Sequence, residues 1–309
     1  MTITRKLLGF LVTLAAVFGG AFGIGQAVGP VDSVPAADHG EMDGMEGMDM
    51  AEASAMPKGL MVSQDGYTFR LARSRVSAGK AVPVSFTIDG PDGKPVTEYD
   101  VEHEKELHLI AVRRDFSGFQ HVHPERAEDG TWATSLDLTA GEWRLFADFK
   151  ATGAEAITLG NDLAVRGSYR PEPPASETRT ARVDGYTVTL EGNLSVGEEA
   201  RLTLRVTRDG APVTDLEPYL GAYGHLVALR SGDLAYLHVH PEGIPGDGET
   251  ESGPDVVFFT QVPSPGRYHL YLNFKHRGVV RTAAFTVTVS ADATDHDDES
   301  DDGHVDDAH

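Results

Sequence analysis

The chain has 309 residues, no cysteine and a formal net charge of −22. The missing thiols exclude disulfides, thiolate zinc sites, a cysteine nucleophile, a lipoprotein anchor and a blue-copper centre. The acidic balance repels phosphate backbones and attracts cations, so the expected partner is a metal ion and not nucleic acid.

Residues 1–30 read as a membrane anchor or signal. Arg5 and Lys6 precede an apolar run over residues 7–29 that only Thr13 and Gln26 interrupt. A signal core is usually ~7–15 residues and a spanning helix needs ~20. No clean A-x-A cleavage site follows. The expectation is therefore an uncleaved single-pass helix in the membrane, with everything after residue 30 outside the cytoplasm. A cleaved signal and a secreted protein form the alternative.

Residues 31–58 form a Met/His/Asp-rich linker, and residues 38–50 read DHGEMDGMEGMDM. Such a stretch has little to bury and is expected to be disordered. His39, Met42, Met45, Met48 and Met50 are candidate metal ligands, because thioethers suit Cu(I) and imidazoles suit Cu(II) and Zn(II). An acidic spacer that happens to contain methionine is the other reading.

The middle of the chain is written twice. Residues 92–125 and 209–242 align without a gap at an offset of 117, with fourteen of 34 positions identical. DGYTFRL (65–71) matches DGYTVTL (184–190), and GEWRLFADFK (141–150) matches GRYHLYLNFK (266–275) at an offset of 125. Repeated modules are thus expected over residues 59–167 and 181–290. Stretches such as VPVSFTI (82–88), ELHLIAV (106–112), RLTLRV (201–206) and AAFTVTV (283–289) are short, β-branched and aromatic, with Gly, Asp and Pro between them. This predicts an all-β chain of two tandem immunoglobulin-like β-sandwiches. The prolines of residues 168–180 make a stiff linker. Residues 291–309 form an acidic tail with His296, His304 and His309, either a weak cation sponge or a solubilising tail.

Six histidines occupy matched positions. His108, His121 and His123 fall in the first module, and His225, His238 and His240 in the second, within the repeated motif HVHPE. In the second module a turn over Gly232 and Asp233 makes paired numbers sum to 465, which sets His225 opposite His240. His238 is two residues from His240 and shares its face. The same register pairs His108 with His123. Each triple is therefore expected to gather on one face of a hairpin and bind one ion, and binding is expected to fade as pH falls through roughly 6.5. Glu125 and Glu242 are a fourth ligand, an orienting group or plain surface residues. His103, His269 and His276 have no matched histidine and read as structural or surface residues. Hydrogen-bonded strand histidines without metal are the bland alternative for the whole set.

With these motifs the chain resembles a group of uncharacterised exported bacterial proteins. More loosely, its modules resemble YtkA-like and CopC-like sandwich domains. That resemblance implies copper handling outside the cytoplasm and no reaction. The CopC pattern uses a histidine at the mature N-terminus, which is not apparent in this chain. The leading expectation is an anchored extracytoplasmic metal-binding protein, for copper with zinc as the alternative, serving buffering, delivery or tolerance alongside a copper-handling partner that the sequence does not name. A structural or adhesive pair of modules without metal is the second reading, and a three-histidine metalloenzyme the third.

Overall fold

The computed structural model describes residues 57–290 except residue 238, and the described residues contain strands, turns and loops but no helix. The expected membrane segment and the acidic tail lie outside them.

The first repeat contains β1 (Ser63–Gln64), β2 (Tyr67–Leu71), β3 (Arg75–Ser77), β4 (Gly79–Asp89), β5 (Tyr99–Asp100), β6 (Leu107–Arg113), β7 (Gln120–Val122), β8 (Glu125–Arg126), β9 (Trp132–Leu138), β10 (Gly141–Ala151) and β11 (Ile157–Arg166). They build two sheets, β1-β2-β4-β9-β8 and β3-β11-β10-β6-β7, with β5 paired to β10. The second repeat contains β12 (Thr180–Val183), β13 (Tyr186–Glu191), β14 (Glu199–Arg208), β15 (Ala211–Pro212), β16 (His225–Arg230), β17 (Tyr236–Leu237), β18 (Val239–Pro241), β19 (Asp255–Gln261), β20 (Gly266–His276) and β21 (Val279–Val289). Its sheets run β12-β13-β14-β19-β18, with β15 on β14, and β17-β16-β20-β21. The molecule is thus a tandem pair of immunoglobulin-like β-sandwiches.

The repeated DGY sequence shows how locally the fold is specified. Gln64 pairs with Tyr67 across Asp65 and Gly66, and Val183 pairs with Tyr186 across Asp184 and Gly185. All four turn residues have positive φ, at 52°, 84°, 48° and 80°. Asp-Gly is the pair that a two-residue hairpin with both centres left-handed favours.

Burial separates two kinds of strand. β13, β14 and β19 alternate buried with exposed or half-buried positions, as strands with one covered face should. β6 is buried at all seven positions, and β16 at all four of its inner ones. On β6, Leu107, Leu109 and Ala111 face the first sandwich core, while Ile110 and Val112 belong to a separate apolar cluster. On β16, Leu226 and Ala228 face the second core, while Val227 and Leu229 join that same cluster. The two sandwiches therefore pack against each other through the outer faces of these sheets.

The packing is close to two-fold symmetric. In repeat alignment Ile110 matches Val227, Val112 matches Leu229, Phe119 matches Tyr236 and Phe146 matches Tyr271. Phe119 stacks on Tyr271 with ring centres 4.0 Å apart, and its counterpart Tyr236 meets Phe146 at 5.7 Å. When i touches j′ and j touches i′, one patch is meeting its own copy. His108 and its counterpart His225 meet each other, nearly parallel, with ring centres 5.6 Å apart. Two local bonds add to the contact: the Tyr271 hydroxyl donates to the Phe116 carbonyl at 2.7 Å, and the Tyr236 amide to the Lys58 carbonyl at 2.9 Å.

This interface predicts the response to two changes at one position. Tyr271→Phe removes only the hydroxyl bond and is expected to cost about 0.5–1.5 kcal/mol. Tyr271→Ala empties the stacked position and is expected to cost about 3–5 kcal/mol in urea unfolding. A cost for the alanine variant no larger than for the phenylalanine variant contradicts a packed interface.

Candidate metal centre

β6 and β7 pair as Leu109↔Val122, Ile110↔His121 and Ala111↔Gln120. This is the register expected from the sequence, with paired numbers summing to 231. It sets His121 beside the outer face of β6, the face of His108 and Ile110. His123 follows β7 by one residue. Ring centres are 5.3 Å apart for His108–His121, 5.0 Å for His108–His123 and 4.9 Å for His121–His123. One ligating nitrogen from each lies within 4.8 Å of the others, and this is the one such group among the described residues.

The second repeat does not build the matching set. Its hairpin keeps the expected register, Ala228↔Leu237 and Leu229↔Tyr236, but closes it with a wider turn in which the Leu234 amide bonds the Arg230 carbonyl. β17 then ends at Leu237, and β18 joins the other sheet, with His240 opposite Phe259. In the first repeat pairing on β6 persists to Val122 before the chain crosses over. The earlier crossing leaves His240 exposed in the sheet that β16 does not belong to, so it never comes opposite His225. His238, His39, Met42, Met45, Met48 and Met50 lie outside the described residues.

His225 instead joins the first repeat's cluster. Its ring centre is 4.7 Å from that of His121, 5.6 Å from His108 and 5.9 Å from His103. His103 was expected to be structural or superficial, yet it stands over the cluster, 6.2 Å from His108. It sits on a turn that Glu102 and Lys105 close with backbone bonds of 2.9 and 3.0 Å. His103 and Glu104 both have positive φ, 48° and 66°, whereas the matching turn of the second repeat has Leu220 and glycine at Gly221. A non-glycine pair there stores strain, which collects at functional positions. The absent glycine was the signal in the sequence.

With Asn273 Oδ1 turned toward His121, the hydrogen bonds assign the ring nitrogens as follows. His108 Nε2–H donates to the Glu102 carbonyl at 3.1 Å. His121 Nδ1–H donates to Asn273 Oδ1 at 3.1 Å, and Asn273 Nδ2 donates to Thr282 Oγ1 at 2.7 Å. Asn273 is a buried residue of the second repeat, opposite His225 on β20. A neutral imidazole has one N–H. The remaining nitrogens, His108 Nδ1 and His121 Nε2, then face each other with lone pairs 3.1 Å apart. His123 Nε2 is buried without a partner. Outer acceptors that orient imidazoles toward a common centre are the usual support of a metal site.

The cluster is built neutral. Burial, followed by the neighbouring His108 and His123, lowers His121 to about 3. Burial, then His108 and Lys105, lowers His123 to about 4. Burial also lowers His108 and holds His225 well below the ordinary range, reinforced for His225 by four neighbouring imidazoles. Glu125 is exposed, and exposed Glu242 pairs with Arg201 at 3.2 Å. His269 is buried between Ser231 and Thr286 and stacked on Phe116, and His276 is buried between Tyr186 and Asp215.

These shifts predict a pH response. A histidine held below its unfolded value binds fewer protons when folded, so its contribution is complete above about pH 6.5 and drains as pH falls toward the folded values near 4 and 3. Imidazole carbon-bound proton resonances of His121 and His123 should keep their neutral positions at pH 5. Midpoints near 6.5 contradict the buried cage.

A family model described as "Domain of unknown function (DUF8832)" matches residues 62–165 and again residues 181–291, one match per repeat. No curated protein matches the chain. Among solved structures, the Escherichia coli adhesin FdeC is 15% identical over 74% of this chain and 65% of its own, with a TM-score of 0.25. The Yersinia pseudotuberculosis adhesin InvE is 12% identical over 72% of this chain and 59% of its own, with a TM-score of 0.21. The chain therefore spans less than two thirds of either adhesin structure, and scores this low carry no argument. None of these matches bears on the YtkA-like and CopC-like resemblance. The chain belongs to the DUF8832 family, with two copies of its domain.

Proposed function

We propose that this tandem DUF8832 protein is an extracytoplasmic metal-binding protein whose histidine cluster takes a late first-row transition metal, copper ahead of zinc, for buffering, delivery or tolerance. The observation that carries the reading is the 3.1 Å separation of His108 Nδ1 and His121 Nε2, beside the partnerless His123 Nε2. With metal–nitrogen bonds of about 2.0–2.1 Å, ligating nitrogens in a tetrahedral site stand about 3.3 Å apart, so the spacing is already near what one ion requires. Imidazoles serve copper and zinc alike. The preference for copper comes from the methionines of residues 42–50, and the place outside the cytoplasm from the apolar run after Arg5 and Lys6. Because burial holds the ring values below 6.5, proton competition should release the ion at lower pH than an exposed histidine site would.

A structural or adhesive module pair is the second reading, and one observation favours it. If the Asn273 carboxamide is turned over, Asn273, His121, His108 and Glu102 close into a chain of ordinary hydrogen bonds with no ion needed. The cluster would then be polar cement between two sandwiches.

Metal retention separates the readings. The purified chain is exposed to copper or zinc and dialysed, and its metal content is measured. Because the His- and Met-rich ends also carry ligand types, the comparison that counts is with His121→Ala. The wild-type chain should retain about one equivalent more than the variant, one ion per three-nitrogen centre. Equal retention by the two proteins supports the cement.

A further inference from the structure

His225 is the one member of the cluster contributed by the second repeat. Among the described residues its ring touches imidazoles on several sides, those of His103, His108 and His121, and its nitrogens have no hydrogen-bond partner there. It lies on the same face of β16 as Val227 and Leu229, so the packing that seals the repeats together also delivers it to the first repeat's three histidines.

Spacing supports a shared centre. Imidazoles on one tetrahedral ion, with bonds of about 2.0–2.1 Å, have ring centres about 5 Å apart. The pairs among His108, His121 and His123 measure 4.9–5.3 Å, and His225 adds 4.7 Å to His121 and 5.6 Å to His108. His225 is outside the group whose ligand atoms already lie within 4.8 Å of one another, so a place in the centre requires its ring to turn. His103 is exposed and lies further from its neighbours, at 5.9 and 6.2 Å, so it is left out of the centre.

Resting on the metal-binding reading, we propose that His225 is the fourth ligand of a single four-imidazole centre formed between the repeats, so that the chain holds one interdomain ion there and the ion ties the two sandwiches together. Four neutral imidazole nitrogens can hold copper or zinc, and Co(II) as a probe reports tetrahedral geometry through its visible bands. Asn273, beside His225 on β20, already orients His121 across the same interface. The second repeat therefore supplies a ligand and an orienting group and, among the described residues, no second centre.

The test is a Co(II) titration of the full chain and four variants, with far-ultraviolet circular dichroism to confirm folding. The wild-type chain should give the intense visible bands of tetrahedral Co(II). His225→Ala should weaken binding by at least about tenfold, the lower end of what even an outer partner costs, and lose that intensity. His225→Asn, closer in polarity, guards against a folding defect and should do the same. His240→Ala should match the wild type, and His121→Ala should abolish the bands. If both His225 variants keep wild-type affinity and bands while His121→Ala loses them, a three-histidine centre within the first repeat stands and the shared centre is overturned. If His121→Ala also matches the wild type, the metal-binding reading itself fails, and the shared centre with it.

Discussion

Ile110 and Val112 on β6, and Val227 and Leu229 on β16, sit on the side of each sheet turned away from its own sandwich core. In a separated module these side chains would meet water. Burying an aliphatic side chain of this size is worth roughly 1.5–3 kcal/mol, so four of them together with Phe146, Tyr236 and Tyr271 outweigh the cost of fixing one sandwich against the other. Because the modules are copies, the surface that needs covering and the surface that covers it are the same patch, and the contact takes the near two-fold form seen in the Phe119–Tyr271 and Phe146–Tyr236 pairs.

The histidines continue the same rows. His108 is two residues before Ile110, and His225 two before Val227, so strand periodicity carries them to the edge of the apolar patch. There they exchange water for one another. A charged imidazole is costly in that setting, so the rings stay neutral and their free nitrogens keep lone pairs available. Burial thus makes the cluster a poor proton acceptor while its lone pairs stay available. The turn at His103 and Glu104 stands over this edge with two left-handed non-glycine residues, and His103 is its exposed face.

Much of the fold was legible in the chain. The duplicated DGY turns, the alternating strands and the gap-free offset of 117 led to two sandwiches, and the hairpin registers of 231 and 465 followed from turn position and parity alone. The meeting of the modules was less legible, although LHLIAV and HLVAL are continuous apolar runs of the sort that both-face burial demands. Read for strand content alone, they looked like ordinary core strands. The site was half legible. His108, His121 and His123 were grouped correctly because β7 stays paired to β6 through Val122. His240 was misplaced because the point at which a strand leaves one sheet for the other depends on both sheets together, and a two-residue difference in that point is invisible in a motif as well preserved as HVHPE. His103 was passed over because it has no counterpart, which is the property that sets the first repeat apart.

The central claim is that docking two copies of one sheet face assembles a single histidine centre from both. Crystals of the zinc-loaded chain, measured at the zinc absorption edge, test it most directly through the anomalous difference map. The account predicts one peak bounded by His108, His121, His123 and His225, between the β6 and β16 sheets. A peak at His240, or none within the cluster in a crystal whose remaining structure matches this one, would contradict it.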